Sequence, residues 1–581
     1  VLRKRGGRGG HLPDAAEKGA TLLVLQFTGT PPFQVDLVFV PGGCGDGDGY
    51  ASLYSQLSGD ALTQLLAKRQ RTYEEEVASR FNLDEVRLNG SRIDESVKTF
   101  AAGVLGAALG SVGYFHGKSL IASADGGAPT ESAAASLFTM VPSRPFFPRG
   151  FLWDEGFHQM LLGAWRPAIA DDVLLHWLAL MDDDGWISRE QILGAEARSR
   201  VPAEFVPQHP TQANPPALLL RIDALLRSSD EVRSSWLPTG RLLWPRLCRW
   251  YAWLVRTQAG PRAWTYRWRG RDATDKRLNA MTLASGLDDY PRAHVPTDEE
   301  RHVDLLCWVA FFSRLLSALA TALDLPSEAQ EYAAQHDAQI RSLMNNHWHA
   351  RAGAFCDWGL HANAGRFARH TVVKCSTADG SSAVEHSVAD ARRPNCPQSH
   401  PRFLFHLGDG QGGLLTVEKF EPRGLREQWV EHLGYVSLFP LMLRLLPAGG
   451  LQLPRLLQLL SDPEQLWTPY GIRSLSKADR MHGRANAPGD EPYWRGAIWI
   501  NLNYLILVGL KHYASTQGPM QERCAELHES LRLNLVKNMQ REWERTGYLW
   551  EQYSPSTGKG QRTHPFNGWS ALVLLALAEI Y

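Results

Sequence analysis

After Glu300, the residues Leu305, Trp308, Val309, Phe312, Leu316, Leu319 and Leu323 recur at steps of three and four, the spacing of one helix face. The same spacing returns at Met520, Cys524, Leu527, Leu531, Leu535 and Met539. Further stretches of helical character lie near 60–81, 96–115, 154–165, 171–182, 215–227, 241–257, 327–346, 431–446, 496–514 and 568–580. From about residue 60 the chain therefore reads as almost all helix. Its 581 residues exceed one ordinary core, so these helices must form several domains or one large closed architecture. A bundle, an α-solenoid and a closed double ring of helices all satisfy the periodicity. The lack of a short internal repeat disfavours the simple solenoid.

The start of the chain reads differently. Residues 21–40 (TLLVLQFTGTPPFQVDLVFV) have the pattern of two short strands broken at Pro31-Pro32, too little sheet to stand alone. They read as the remnant of a larger β domain. Residues 41–49 (PGGCGDGDG) read as a glycine-rich linker; Asp46 and Asp48 begin like a calcium loop, but Leu57 occupies the position of its closing Glu. The predicted division is thus 1–50, a basic end with the β remnant and linker, and 51–581, a helical domain. Two polar stretches interrupt that domain: a small-residue loop at 122–136 and an insertion at 375–400, expected to be a mobile surface loop.

Lys plus Arg and Asp plus Glu both number 61, so the formal net charge is zero. That leaves no electrostatic footprint for nucleic acid or an anionic membrane surface. No stretch reaches the ~18 consecutive apolar residues of a membrane span. The opening VLRKRGGRGG reads as a flexible end or the edge of a fragment. Seven cysteines without a C-x-x-C pair disfavour a zinc site. Cys307 and Cys524 lie in apolar stripes and are expected to be buried thiols. Cys375 and Cys396 flank the polar insertion and could close it as a disulfide, which would fit an oxidising compartment. Asn89-Gly90-Ser91 is the one glycosylation sequon.

Chemistry concentrates in five loops dense in Trp, Arg, Gly and acids. They are FPRGFLWDEGF at 147–157, SGLDDYPR at 285–292, ERHVDLLCW at 300–308, YWRG at 493–496, and LWEQY at 549–553 with PFNGW at 565–569. Aromatic faces pack on pyranose C–H groups while Arg and acids bond hydroxyls. Each loop also has a plain structural reading. Asp154 and Glu155 suit a helix N-terminus. Asp288 and Asp289 suit a capping turn between Gly286 and Pro291. Glu300 and Asp304, four apart, could be a solvated helix face. Trp494 could start a helix in the core, and Glu551 could pair with an Arg. Other chemistries fail: Gly117-Lys118-Ser119 lacks the first glycine of a phosphate loop because Val112 stands there, and neither G-x-S-x-G nor H-E-x-x-H occurs. What remains is a helical chain with acids embedded among tryptophans, and glycoside hydrolysis needs two carboxyls.

At these loops, from about residue 60 to Tyr581, the chain resembles the eukaryotic processing α-glucosidases of glycoside hydrolase family 63. The matching stretches are SRPFFPRGFLWDEGFHQ, SGLDDYPRA, ERHVDLLCW, LGYVSLFP, PYWRGAIW and LWEQYS…PFNGWSALVLL. The resemblance implies a mainly α fold, an (α/α)6 barrel behind an N-terminal β domain. It implies an inverting enzyme that removes the terminal α-1,2-linked glucose from the triglucosylated high-mannose N-glycan precursor. Asp288 would be the general acid and Glu551 the general base. Arg149, Trp153, Asp154, Glu300, Asp304, Trp494 and Arg495 would bind substrate. No metal or cofactor is implied. The partner would be an N-linked oligosaccharide on nascent glycoproteins, in the endoplasmic reticulum lumen, where the family is membrane-anchored. Trehalases carry similar S-G-x-Asp and Glu-x-Tyr elements, so a trehalase-like glycosidase and a non-catalytic glycan binder are the alternatives.

Overall fold

The computed structural model describes residues 27–38, 47–123, 125–275, 277–408 and 414–581, with side chains from residue 51 in the first helix. The chain divides into two compact units, Val1–Glu76 and Val77–Tyr581. In the first, residues 27–38 form no strand and bend at Pro31-Pro32. The strand reading of 21–40 is not met there, and residues 21–26 and 39–40 lie outside the described residues. The linker reading fails at its end, since a helix begins at Gly47 and runs to Gln56. The next helix, Gly59–Arg80, carries the chain into the second unit. Its first amide donates to Asp36 Oδ2 at 2.8 Å.

The second unit is mainly α, and burial shows why particular segments are helical. Asp94 starts the helix Glu95–Leu109 by accepting from the amides of Ser96 and Val97 at 3.0 and 3.1 Å. One face of it buries Val97, Phe100, Ala101, Val104, Leu105 and Ala108. Helix was expected to residue 115, but it stops at Gly110, and Val112–Gly117 instead pairs antiparallel with Ala135–Met140. Helices Leu152–Trp165 and Ile500–Ala514 are buried on nearly all sides, so they are apolar without one clean stripe. Gln521–Thr546 buries one face through Cys524, Leu527, Leu531, Leu535 and Met539 and exposes the other. Val303–Ala322 is long and apolar enough to cross a membrane, yet most of it is buried in this core.

The buried helices touch in series. Leu152–Trp165 packs on Leu219–Leu226, that helix on Val303–Ala322, and that one on Tyr435–Met442. Tyr435–Met442 packs on Ile500–Ala514, which meets the turn Trp569–Leu572, and this turn returns to Leu152–Trp165. Partner helices lie alongside: Pro167–Ala179, Asp230–Thr257, Pro326–His347 and Gln521–Thr546.

The reading of 375–400 as a mobile loop is corrected. Ala364–Ser376 is a long strand that pairs antiparallel with Ala383–Val388, Arg402–His406 and Thr416–Arg423 in one sheet. The Cys375–Cys396 disulfide does form and closes part of it. The sheet buries little beyond Val373, Cys375 and Val388, so its strands lack the apolar alternation that would have announced them. Cys307 and Cys524 are buried free thiols. Asn89 lies on an exposed turn between the short strands Arg87–Leu88 and Ser91–Arg92.

Candidate active site

The turn Ser285–Arg292 holds Asp288. Gly286 has φ +75°, and a Cβ there would stand 2.6 Å from the Trp153 indole. Both the turn and its packing on Trp153 therefore require glycine. Ser285 Oγ accepts from the Leu287 amide at 3.1 Å, and the Thr282 amide donates to the Asp288 carbonyl at 2.9 Å. Asp289 points away from its neighbour's surroundings: its carboxylate accepts from the amides of Tyr493 at 3.1 Å and Trp494 at 2.6 Å. Tyr290 donates its hydroxyl to the His432 carbonyl at 2.8 Å. Arg292 is clamped by Asp304 and Asp357. Asp288 alone among these side chains stays uncommitted, with Arg189 Nη2 at 3.9 Å and 20% of the side chain exposed.

Glu551 comes from the other end of the chain and is 4% exposed. The Tyr493 hydroxyl donates to its Oε1, and the Thr563 amide donates to its Oε2 at 3.2 Å. Its amide donates to the Thr563 carbonyl at 3.0 Å, so the carboxylate is oriented from both sides. Burial lifts its pKa above the ordinary range, while the Tyr493 hydroxyl, the Thr563 amide and Arg562 favour the ionised form.

Asp288 is shifted in the same direction, without such donors. Burial pushes its pKa up to about 7; the Arg189 guanidinium opposes this, while Asp289, Glu190 and Glu551 reinforce it. The folded value lies above the unfolded one. Its contribution to stability is therefore complete below the ordinary carboxyl range and lost as pH rises through about 7. Asp154 joins the group. It is 3% exposed, and burial raises its pKa well above the usual range against the pull of Arg189. Arg149 donates from Nε to Glu190 Oε2 at 2.7 Å and lies over the Phe151 ring. Its Nη1 is buried and bonds no described residue.

The structure buries Glu300, Asp304, Trp494 and Arg495 and engages each of them with other groups of the protein. Glu300 and Asp304 are not in this cluster. Glu300 precedes the helix that begins at Val303, is fully buried, and pairs with Arg271. Asp304 is 1% exposed and takes both terminal nitrogens of Arg292, at 3.1 and 2.6 Å. Each carboxylate is held inside the protein by a guanidinium, so both support the wall. Arg495 is also used internally: Nε donates to the Asp289 carbonyl at 2.8 Å, Nη2 to Asn486 at 2.7 Å, and Nη1 to the Arg484 carbonyl at 3.1 Å. Trp494 is 1% exposed and stacks on Trp499 with ring centroids 3.8 Å apart. Trp494 and Arg495 thus hold the acid turn from behind. Trp153, 4% exposed, packs edge-on against Trp569 and Phe157.

Arg189, Glu190 and Asn214 are not singled out by the sequence, and Tyr493 enters only as part of the YWRG segment. The segment Trp186-Ile187-Ser188-Arg189-Glu190 has the same mixture of Trp, Arg and acid as the five loops, and that signal could have found it. Asn214 accepts from the Trp153 amide at 3.1 Å and donates to the Ala284 carbonyl at 3.2 Å, tying two site loops together.

These charges set a pH dependence. If Asp288 must carry a proton, kcat/KM falls as pH rises through about 7. Arg189→Met removes the cation that lowers this pKa, so the alkaline limb should move to higher pH. A pH profile whose limb stays in place or moves down would show that Arg189 does not act on Asp288.

The family model described as "Glycosyl hydrolase family 63 C-terminal domain" matches residues 57–398 and 411–579. The chain is 35% identical to mannosyl-oligosaccharide glucosidase GCS1 of Arabidopsis thaliana over 98% of its own length and 64% of that protein's. It is 35% identical to the probable mannosyl-oligosaccharide glucosidase of Schizosaccharomyces pombe, over 97% of its length and 67% of the relative's. It thus spans about two thirds of these relatives. The crystal structure of an uncharacterized conserved protein from Thermus thermophilus shares the fold, with TM-score 0.50 and 17% identity over 84% of this chain and 100% of that one. The chain belongs to glycosyl hydrolase family 63.

Proposed function

We propose that the chain is the catalytic part of an inverting exo-α-glucosidase that removes the terminal α-1,2-linked glucose from the triglucosylated high-mannose N-glycan precursor. The observation that carries this reading is the pair Asp288 and Glu551: two carboxyls in one buried cluster, Glu551 held by two hydrogen-bond donors and Asp288, among the described residues, by none. Burial pushes the Asp288 pKa up to about 7, and among the described residues none hydrogen-bonds its carboxyl, so it serves as general acid to the leaving oxygen. Glu551 receives two donors and serves as the base that activates water on the opposite face of the sugar. Asp154 and Arg149 bond glucose hydroxyls, and Trp153 packs under the ring. The relatives' names, mannosyl-oligosaccharide glucosidase, support a glycan substrate, and the reading places its action in the endoplasmic reticulum lumen.

The serial contacts of six buried segments, returning to the first, support an (α/α)6 barrel with the site at one end. The proposed domain division is 1–50 and a catalytic domain in 51–581, with Asn89 as a glycan acceptor on its surface. The test is proton NMR of the first product. The expected result is β-glucose from an α-1,2-glucosylated oligosaccharide and no turnover of trehalose. Initial release of α-glucose would overturn inversion, and preferential cleavage of trehalose would overturn the substrate.

A further inference from the structure

Arg562 adopts a left-handed backbone conformation, with φ +66°, which costs an arginine more than a glycine. Such a residue persists where its surroundings over-determine it. It stands between two pieces of the Glu551 environment. Before it runs the strand Gly560–Gln561, paired antiparallel with Gln552–Tyr553, which directly follows Glu551. After it comes Thr563, whose amide donates to Glu551 Oε2 and whose carbonyl accepts from the Glu551 amide. The turn at 562 therefore sets the direction in which the chain comes back to clasp Glu551.

The side chain gives the reason for an arginine at this turn. Nη2 donates to the Pro492 carbonyl at 3.1 Å, and Nη1 pairs with Glu491 at 3.2 Å. Cζ lies 5.6 Å from the centre of the Tyr493 ring. With the Gln552 amide oriented to satisfy both its ends, its oxygen accepts from Arg562 Nε at 3.1 Å and its nitrogen donates to the Tyr493 carbonyl at 3.1 Å. Each of the three guanidinium nitrogens thus has a partner. The Glu491 side chain is 75% exposed, so that ion pair adds little, and the carbonyl, amide and ring contacts do the joining. They join segment 491–493 to segment 552–563. These two segments supply both donors to Glu551: the Tyr493 hydroxyl from one and the Thr563 amide from the other. The charged and titratable groups that act with Glu551 are Tyr493, Arg562, Asp154 and Asp288, and Arg562 is the cation of this set.

We propose that Arg562 is a positioning residue for the base: its guanidinium locks the Tyr493 segment to the hairpin that follows Glu551, so that the Tyr493 hydroxyl and the Thr563 amide reach the carboxylate together. The proposal rests on the assignment of Glu551 as the base. It is tested with Arg562→Gly and Arg562→Asn, since both residues take left-handed backbone readily and only the guanidinium is lost. Both substrates, an α-1,2-glucosylated oligosaccharide and α-glucosyl fluoride, need the base, so kcat should fall on both by at least about tenfold. The acid limb of the kcat profile should move to higher pH by at least about half a unit, because a cation that favours the ionised Glu551 is gone. A smaller loss of kcat, a loss on the oligosaccharide alone, or a limb that stays in place or moves down overturns the proposal. A second measurement is independent of turnover: the titration of Glu551 by carbon NMR of chain labelled at the glutamate carboxyl carbon, with its signal identified by its loss in Glu551→Gln. If the unaltered chain cleaves neither substrate, the enzymatic reading falls and this titration alone decides. An upward shift of at least about half a unit in either Arg562 variant supports the positioning role, and a smaller or downward shift overturns it.

Discussion

Asp288→Asn is expected to lose hydrolysis of an α-1,2-glucosylated oligosaccharide by about 10²–10⁴-fold, the range typical of a missing general acid or base, while keeping much of its activity on α-glucosyl fluoride. Glu551→Gln is expected to lose both. The difference follows from the reaction. A sugar oxygen needs a proton as the glycosidic bond breaks, whereas fluoride departs without one; both substrates need the attacking water to be deprotonated. The surroundings of the two carboxyls agree with this division. Burial pushes the Asp288 pKa up to about 7, and Glu551 is fixed by the Tyr493 hydroxyl and the Thr563 amide. Both substitutions are nearly isosteric, so thermal unfolding should show the fold retained. Glu551→Gln with full activity would remove it as base, and Asp288→Asn equally poor on both substrates would remove it as the acid. Asp289 is the sequence-adjacent rival, but its oxygens are taken by the amides of Tyr493 and Trp494.

Arg292→Met should cost about 3–5 kcal/mol of stability, the usual consequence of stripping one partner from a buried ion pair. Arg292 is fully buried, and its guanidinium joins Asp304 and Asp357 at 2.6–3.1 Å. Removing it leaves two carboxylates inside the protein with no countercharge. Asp357 Oδ1 also accepts from the Val303 amide at 2.8 Å, so the loss reaches the start of the core helix. The substitution further loosens the loop that carries Asp288, four residues earlier. Arg292→Lys should not rescue it, because one ammonium cannot reproduce the forked contact with Asp304. Urea denaturation and residual activity measure both effects. A loss under about 1 kcal/mol would mean the cluster is weaker than its geometry implies.

The interplay of these clusters explains why parts of the site were legible from sequence and others were not. Trp153, Asp154, Asp288 and Glu551 lie in segments whose Trp, Gly and acid content marks them, and the structure gathers them. Glu300 and Asp304 share that local signature, yet each has a buried Arg partner, Arg271 for Glu300 and Arg292 for Asp304. An acid facing a ligand and an acid facing a structural guanidinium look alike along the chain. The same holds for Arg495, whose donors are satisfied by the backbone of the acid turn and of residues 484 and 485.

The helical class of the second unit was determined by sequence alone, because a helix writes its period into consecutive residues. Leu305 through Leu323 repeat every three or four positions wherever that helix is placed. The family was determined the same way, through motifs in a fixed order. The sheet of 364–423 was not, since a mostly solvent-exposed sheet needs no apolar alternation, and its polar strands resemble loop. Only the tertiary structure decided which neighbours act on each carboxyl. That depends on the distance of Asp288 from Arg189, and on the donors around Glu551, groups far apart in the chain and joined only when the buried helices pack. Burial and neighbouring charge set a pKa, and neither is a property of a residue's position in sequence.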